Sequence, residues 1–143
     1  MTVTLRTATG NDLAAINARY ADIGFLPSCA GELIVIAALA GRTAGQGRVV
    51  PVDARSGELG GIYVLPHCQG RGVARRIVGF LIDRADLPVL YCLPFGELQD
   101  FYRSMGFVPV SQRDGVPRQV RQKLQWCNAT YDKPVLLLER IAT

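Results

Sequence analysis

The sequence predicts a mixed α/β (α+β) fold, in which a mostly antiparallel sheet of six or seven strands carries helices on both faces. The length of 143 residues indicates one domain, residues 1–143, with a single core. Hydrophobic residues make up 49% of the chain and charged residues 20%, which is typical of a globular protein. Short runs rich in β-branched residues alternate with amphipathic segments of helical period, and this order favours a sheet covered by helices.

The first half of the chain predicts a strand, a helix and then three further strands. Thr9 followed by Asp12 makes a capping-box start for the helix, which Gly24 ends. Because the three later strands are joined by short turns, they indicate an antiparallel meander. The strands are expected at residues 3–8, 33–40, 43–52 and 58–65, with turns at Gly41-Arg42 and at residues 53–57.

The second half alternates helices and strands. A helix begins at Val73 and has apolar residues at the spacing of one helical face. Gly106 ends the next helix, and Pro117 fits the first position of the last one, which runs to about Cys127. The remaining elements are expected as strands at residues 89–93, 107–110 and 135–141 and a helix at residues 97–105 with Leu98, Phe101, Tyr102 and Met105 on its apolar side.

Composition argues against several classes of function. The net charge is +4, but the basic residues are scattered and form no single run of the kind found in nucleic-acid-binding arms. No apolar run approaches the roughly 18–20 residues that cross a bilayer, and the N-terminus lacks the pattern of a signal peptide. The four cysteines are widely spaced, and with a single His they do not form a metal site. We therefore expect a cytoplasmic protein with no metal and no membrane partner, and the charge pattern disfavours a nucleic-acid partner.

The strongest local pattern is the glycine-rich turn Gln69-Gly70-Arg71-Gly72, which lies between an apolar strand and a helix. Glycines let backbone N–H groups converge at a helix N-terminus, where a phosphate binds favourably. The turn does not fit a Rossmann fingerprint, because Arg75 occupies the third small position, and the chain lacks the Gly-Lys-Ser/Thr of a P-loop. It predicts an anion site for another cofactor, with an ordinary strand–turn–helix junction as the alternative.

Two motifs in the expected order carry a resemblance to a known family. Gln69, Gly72 and Ala74 match the pattern Q/R-x-x-G-x-G/A, and residues 101–107 (FYRSMGF) resemble a helix end written Y-x-x-x-G-F. Both are motifs of the GNAT superfamily of acetyl-CoA-dependent N-acetyltransferases, which the chain resembles in element order over essentially its whole length. The resemblance implies a GNAT-like sheet in which two parallel strands splay apart at the CoA site.

This resemblance implies acetyl-CoA as cosubstrate and a primary amine, of a small molecule or a peptide, as acceptor. The two react directly in a ternary complex, with the pyrophosphate on the glycine-rich turn and a backbone N–H of the strand polarising the thioester. Homodimers are common among similar proteins. The cofactor-binding residues that the resemblance implies are Ile62, Tyr63, Val64, Gln69, Gly70, Arg71, Gly72, Val73, Ala74 and Arg75.

The resemblance also implies the catalytic groups. Tyr102 corresponds to the general acid that protonates the departing thiolate, and Glu58 lies at the position of the general base in one branch of the family. The alternatives are a core aromatic residue for Tyr102 and a solvated strand end for Glu58. Asp53 and His67 are secondary candidates for the base, and Cys92 is expected as a small buried hydrophobic residue.

Some positions depart from the family pattern. Phe95 stands where an Asn often helps to hold the cofactor, and Leu98 stands where a small Ala is common. An insertion at residues 114–133 carries a basic helix, which either lines the acceptor site or is a packing helix with a solvated face. A non-catalytic acyl-CoA-binding or sensing module is therefore a second hypothesis, and a basic nucleic-acid-binding domain is a third.

Overall fold

The computed structural model describes residues 2–142, which form seven strands and four α-helices in the predicted order. Within this range no helix combines the length and the apolar character needed to cross a bilayer. In chain order the elements are β1 (Val3–Thr7), α1 (Leu13–Asp22), β2 (Leu33–Leu39), β3 (Arg42–Pro51), β4 (Ser56–Val64), α2 (Val73–Ala85), β5 (Val89–Cys92), α3 (Gln99–Ser104), β6 (Val108–Pro109), α4 (Arg118–Thr130) and β7 (Leu138–Ile141).

The strands form one seven-stranded sheet in the order β1-β2-β3-β4-β5-β7-β6. β4 and β5 are a parallel pair, with a register that runs from Ser56↔Val89 to Leu59↔Cys92. β1 pairs with β2, β2 with β3, and β7 with both β5 and β6, all antiparallel. β4 continues to Val64, beyond Leu59, the last residue in register with β5. The predicted mixed, mostly antiparallel fold is confirmed.

The chain divides into two compact units. The first runs to Val50 and resumes over Gly61–Ala85, whereas the second contains Pro51–Gly60 and the residues from Asp86 onward. β4 contributes residues to both units, since the division falls between Gly60 and Gly61.

In the first unit, β3 packs against a helix on each of its two faces. Gly45 and Gly47 make room for α2, because a Cβ atom on Gly47 would lie 2.7 Å from Ile77 Cγ2. Gln46 alternates with these glycines and points to the other face, where its Nε2 donates to the Ile16 carbonyl of α1 at 3.1 Å. The helices therefore pack on opposite faces of the strand, as the sequence predicts.

The core of the first unit comes from the predicted apolar faces. Ile16 and Tyr20 of α1 are fully buried and pack with Ile34 and Ile36 of β2. On α2 the buried residues are Val73, Ile77, Val78 and Leu81.

The second unit has its own core between α4 and the adjoining strands. Tyr91 of β5 packs there against the buried face of α4 and the segment that leads into β7. The helix supplies a stripe at helical spacing, so amphipathic packing rather than helix propensity stabilises it. The buried members of this cluster are Tyr91, Val116, Val120, Leu124, Cys127, Val135 and Leu137.

Two predicted turns are displaced. The hairpin between β2 and β3 turns at Ala40 and Gly41, with φ of 51° and 77°, so Arg42 is the first strand residue rather than part of the turn. A two-residue turn of this kind needs two left-handed residues, which places both positions before Arg42. The turn predicted at residues 53–57 ends earlier, because Asp53 Oδ1 accepts hydrogen bonds from the Arg55 amide and the Ser56 hydroxyl, and β4 begins at Ser56.

The predicted helix at residues 97–105 is also different in detail. A 3₁₀ turn at Gly96–Leu98 precedes α3, and Leu98 is 42% exposed instead of lying on the apolar side. Three residues per turn rotate Leu98 away from the face that a 3.6-residue projection assigns to it. Pro117 is the N-cap of α4 rather than its first residue, and the helix extends to Thr130. The final strand is shorter than residues 135–141, since Val135 makes only an isolated bridge with Phe95.

Candidate functional site

The glycine-rich turn of the first unit is open and is built by backbone conformation. Gly70 and Gly72 have φ of 78° and 77°, in the left-handed region that favours glycine. A Cβ atom on either would meet no heavy atom within 4 Å, so conformation, not crowding, requires glycine here. The turn is solvent-exposed and α2 begins directly after it at Val73. The first N–H groups of α2 lack intrahelical partners and form, with the helix dipole, a place for an anion.

The side chains around this turn fit the same use. Gln69 does not point outward as a free group, because its Nε2 donates to the Val64 carbonyl at 3.3 Å and ties the turn to the end of β4. Arg71 and Arg75 are exposed, and Val73 is buried beneath the turn. Apart from the buried Val73, the predicted residues Gln69 to Arg75 therefore lie at the open helix N-terminus and include two exposed guanidinium groups.

β4 is locally distorted just before the predicted thioester stretch at Ile62, Tyr63 and Val64. Gly61 has φ of 60° inside the strand, and its carbonyl accepts a hydrogen bond from the Tyr20 hydroxyl at 2.7 Å. A Cβ atom on Gly61 would lie 2.6 Å from that hydroxyl, so only glycine fits. Burial raises the pKa of Tyr20 to about 12, which keeps its donor proton in place. The distortion re-aims the strand backbone at the point where the thioester is predicted to bind.

In the second unit, Glu58 is a buried carboxylate in an ion pair. Lys123 Nζ of α4 lies 2.6 Å from Glu58 Oε2, and the side chains are 30% and 7% exposed. The alternative of a solvated strand end is wrong for Glu58, because the residue is buried on β4. The basic helix of the insertion thus contributes one specific charge to this carboxylate. The sequence did not predict Lys123 as the partner of Glu58. Its position between Val120 and Leu124, at the edge of the apolar stripe of α4, is the pattern that indicates a half-buried charge.

Tyr102 and Cys92 form a buried pair beside Glu58. Tyr102 of α3 is 4% exposed, its hydroxyl is hydrogen-bonded to the Cys92 thiol, and its ring packs edge-on against Phe107. Burial, with a smaller effect from Cys92, raises the pKa of Tyr102 well above its usual value. Burial and the charge of Glu58 likewise raise the pKa of Cys92, so its thiol stays protonated at neutral pH. Cys92 is buried as expected, but the sequence did not predict its hydrogen bond to Tyr102.

The secondary candidates for the base occupy less favourable places. Asp53 accepts hydrogen bonds from the Arg55 amide and the Ser56 hydroxyl, which lower its pKa and make it a weaker base. His67 is exposed in the 3₁₀ turn Pro66–Cys68. Within residues 2–142 no three His, Cys, Asp or Glu side chains are grouped so as to hold a metal ion.

Three solved structures illustrate what the fold resembles. N-acetylglutamate synthase from Neisseria gonorrhoeae, complexed with coenzyme A and L-arginine, has 20% identity and a TM-score of 0.75, covering 97% of this chain and 33% of that chain. The protein Rv2747 from Mycobacterium tuberculosis, in complex with CoA and NLQ, has 18% identity and a TM-score of 0.77, covering 98% and 99%. ElaA from Escherichia coli has 16% identity and a TM-score of 0.70, covering 97% and 99%. The chain spans about a third of the length of the synthase.

The sequence itself places the chain in a family. No curated protein matches it significantly in sequence. Residues 30–109, more than half of the chain, match the family described as an acetyltransferase (GNAT) domain. Acetyl-CoA as the acetyl donor fits that family and the open glycine turn. The chain therefore belongs to the GNAT acetyltransferase family.

Proposed function

We propose that this protein transfers the acetyl group of acetyl-CoA to a primary amine in a direct ternary complex. The CoA pyrophosphate binds residues 69–75, and the thioester lies along Ile62, Tyr63 and Val64. Tyr102 is the general acid and Glu58 the general base. The acceptor as a small-molecule or peptide amine, a homodimeric assembly and a cytoplasmic location remain predictions.

The observation that carries the proposal is the conformation of the turn before α2. Gly70 and Gly72 both adopt left-handed backbone conformations there with open space around them. Two phosphates need several converging N–H donors and close backbone approach, and this turn offers both without steric obstruction.

The chemistry follows from the protonation states of the second unit. A thiolate leaves when the tetrahedral intermediate collapses, and a nearby phenol can supply its proton. Since the pKa of Tyr102 is raised, the hydroxyl is protonated throughout the working range and serves as a donor. Glu58 is the buried carboxylate that can accept the proton of the amine, directly or through one water, and Lys123 holds it in place. No covalent intermediate is needed when the amine attacks the thioester directly, and Cys92 is a poor nucleophile because its thiol is protonated and buried.

The test is release of free thiol from acetyl-CoA in the presence of a panel of amines, with mass spectrometry of the acetylated product. We expect turnover with at least one class of amine and a dissociation constant for CoA in the micromolar range by calorimetry. Failure to bind CoA would overturn the placement of the cofactor. Transient acetylation of the protein before the amine is added would overturn the ternary-complex mechanism.

A non-catalytic acyl-CoA-binding module is the second candidate. The observation that favours it is that both catalytic candidates already have partners: Lys123 for Glu58, and Cys92 for Tyr102. The same experiment separates the two functions, because a module binds CoA without releasing thiol on any amine.

A further inference from the structure

The first unit contains a buried cation that the proposed chemistry does not use. Arg48 of β3 is only 6% exposed, and among residues 2–142 no carboxylate lies within ion-pair distance of it. Its guanidinium donates one side-chain hydrogen bond, from Nη1 to Ser28 Oγ at 2.6 Å, and stacks 4.4 Å from the centroid of the Tyr20 ring. Burying a cation is costly unless an anion or several acceptors compensate.

The guanidinium is held in a fixed orientation with donors to spare. Asn17 fixes the segment beneath it, since its side chain exchanges two hydrogen bonds with the backbone of Ser28 at 2.7 and 2.9 Å. Among the described residues the Arg48 guanidinium makes no hydrogen bond besides the one to Ser28 Oγ, so Nε and Nη2 are unused donors. A preoriented guanidinium with unused N–H donors matches the geometry of a carboxylate.

Neighbouring groups add to the positive character of the place. Arg19 of α1 donates from Nε to Gln46 Oε1 at 2.6 Å and also has no carboxylate partner in the described part of the chain. The acidic residue of the adjoining segment, Glu32, instead accepts from the Cys29 amide through Oε2 at 3.1 Å. Neither arginine has an ion-pair partner among the described residues, while Glu32 acts electrostatically on the same Tyr20 side chain as Arg48.

This cation lies beside the strand that is proposed to hold the thioester. A Cβ atom on Gly61 would be 2.9 Å from Arg48 Nε, and Gly61 directly precedes Ile62, Tyr63 and Val64. An acceptor whose carboxylate binds Arg48 would thus bring an amine that is only a few bonds from that carboxylate close to the reacting carbonyl of the thioester.

We propose that Arg48 binds a carboxylate of the acceptor, so that the acceptor class is small carboxylated amines, α-amino acids first. The proposal rests on the proposed acetyl transfer. It assigns Arg48 to substrate recognition and leaves the acid and base roles unchanged.

The test compares each α-amino acid with its carboxamide and its decarboxylated amine in the thiol-release assay. We expect kcat/KM for the best amino acid to exceed that of its amide and amine by at least tenfold. Arg48→Gln should remove this preference, raising KM about 10- to 100-fold with little change in kcat or in CoA affinity. Arg48→Lys should restore part of it. Arg42→Gln, an exposed arginine on the same strand, is the matched control and should leave the preference intact.

A second arm does not depend on turnover. The same amino acids, amides and amines are titrated into the protein saturated with CoA, and wild-type, Arg48→Gln and Glu32→Gln are compared by calorimetry and thermal unfolding. Carboxylate-dependent binding that only the Arg48 variant loses supports the proposal, even if no amine is acetylated and the proposed function fails. Amides and amines that bind and react as well as the acids overturn it while acetyl transfer stands. Equal loss of thermal stability in Arg48→Gln and Glu32→Gln, without loss of selectivity, overturns it as well, because Arg48 would then be a structural counter-ion of Glu32.

Discussion

The glycine turn of the first unit and the acid–base groups of the second unit are built on opposite physical principles. The turn at residues 69–72 is exposed and depends on two left-handed glycines, on which an added Cβ atom would meet no heavy atom within 4 Å. Glu58 and Tyr102 are buried, and each is already satisfied by a side chain of the same unit. A ligand is therefore expected to add interactions at the turn, whereas at the acid–base groups it must compete with interactions that exist.

The largest effect should come from Tyr102→Phe, which removes the proton donor and keeps the ring. We expect kcat to fall about 10²- to 10³-fold, because general acid catalysis typically contributes this much. The dissociation constant of CoA should change less than twofold. Tyr91→Phe, a buried tyrosine of the same unit, is the control and should leave kcat unchanged. A rate that Tyr102→Phe does not lower would show that the pair with Cys92 is structural only.

The pH dependence of the rate and of stability provides a second test of the role of Tyr102. Because burial raises the pKa of Tyr102, its acid form persists above pH 10, and the rate should show no alkaline fall from this group below that pH. The folded state binds the phenolic proton more tightly than the unfolded chain does. The contribution of the Tyr102 phenol to the free energy of unfolding is therefore complete below the unfolded pKa near 10, and it is lost as the pH rises further. Alkaline unfolding of wild-type and Tyr102→Phe, followed by circular dichroism, measures this difference.

A smaller effect is expected from breaking the ion pair of Glu58 and Lys123. Glu58→Gln should lower kcat/KM about 100-fold if the carboxylate is the base, and Lys123→Met about tenfold because it only releases that carboxylate. Lys123→Met should also lower the free energy of unfolding by about 1–3 kcal/mol, since it leaves a buried charge unpaired. A double-mutant cycle in urea gives the coupling energy. Additive effects in both measurements would mean that the two residues act separately.

At the glycine turn the expected effects are smaller again and concern binding only. Gly72→Ala puts an L-residue into the left-handed region at a cost of about 1–2 kcal/mol. The free turn is expected to relax out of this conformation, so that CoA must restore it and should bind about 5- to 30-fold more weakly, with kcat at saturation unchanged. Gly10→Ala is the matched control, because Gly10 also meets nothing within 4 Å but does not have a positive φ. Equal CoA affinities in the two variants would show that the pyrophosphate does not bind at this turn.

The smallest effect should be that of Arg71→Ala. An exposed guanidinium contributes little to the binding of an anion, because water and salt screen its charge. CoA affinity should therefore fall about threefold at low salt and less at high salt. Arg76→Ala, on the outer side of α2, should have no effect. A loss for Arg71→Ala that does not depend on salt would indicate a role in packing rather than in charge attraction.

Local patterns predicted most of the fold but little of the site's interior. The face of α2 and the start of that helix at Val73 follow from periodicity and glycine placement, which act over a few residues. The partner of Glu58 comes from residue 123, and that of Tyr102 from residue 92. Such pairs depend on long-range packing, which single-sequence patterns do not encode. The shifted hairpin at Ala40 shows the same limit at short range, because alanine is seldom chosen for a left-handed position.

The alternation along β3 has a consequence for how the protein can diverge. Its glycines at positions 45 and 47 are fixed by the helix above them, whereas Gln46 and Arg48 point to the other side. That other side is also a packing face, because Gln46 donates to the Ile16 carbonyl of α1 and Arg48 stacks on Tyr20 of the same helix. Libraries that vary only positions 46 and 48 should therefore lose most folded members, and those that also vary α1 should retain more of them.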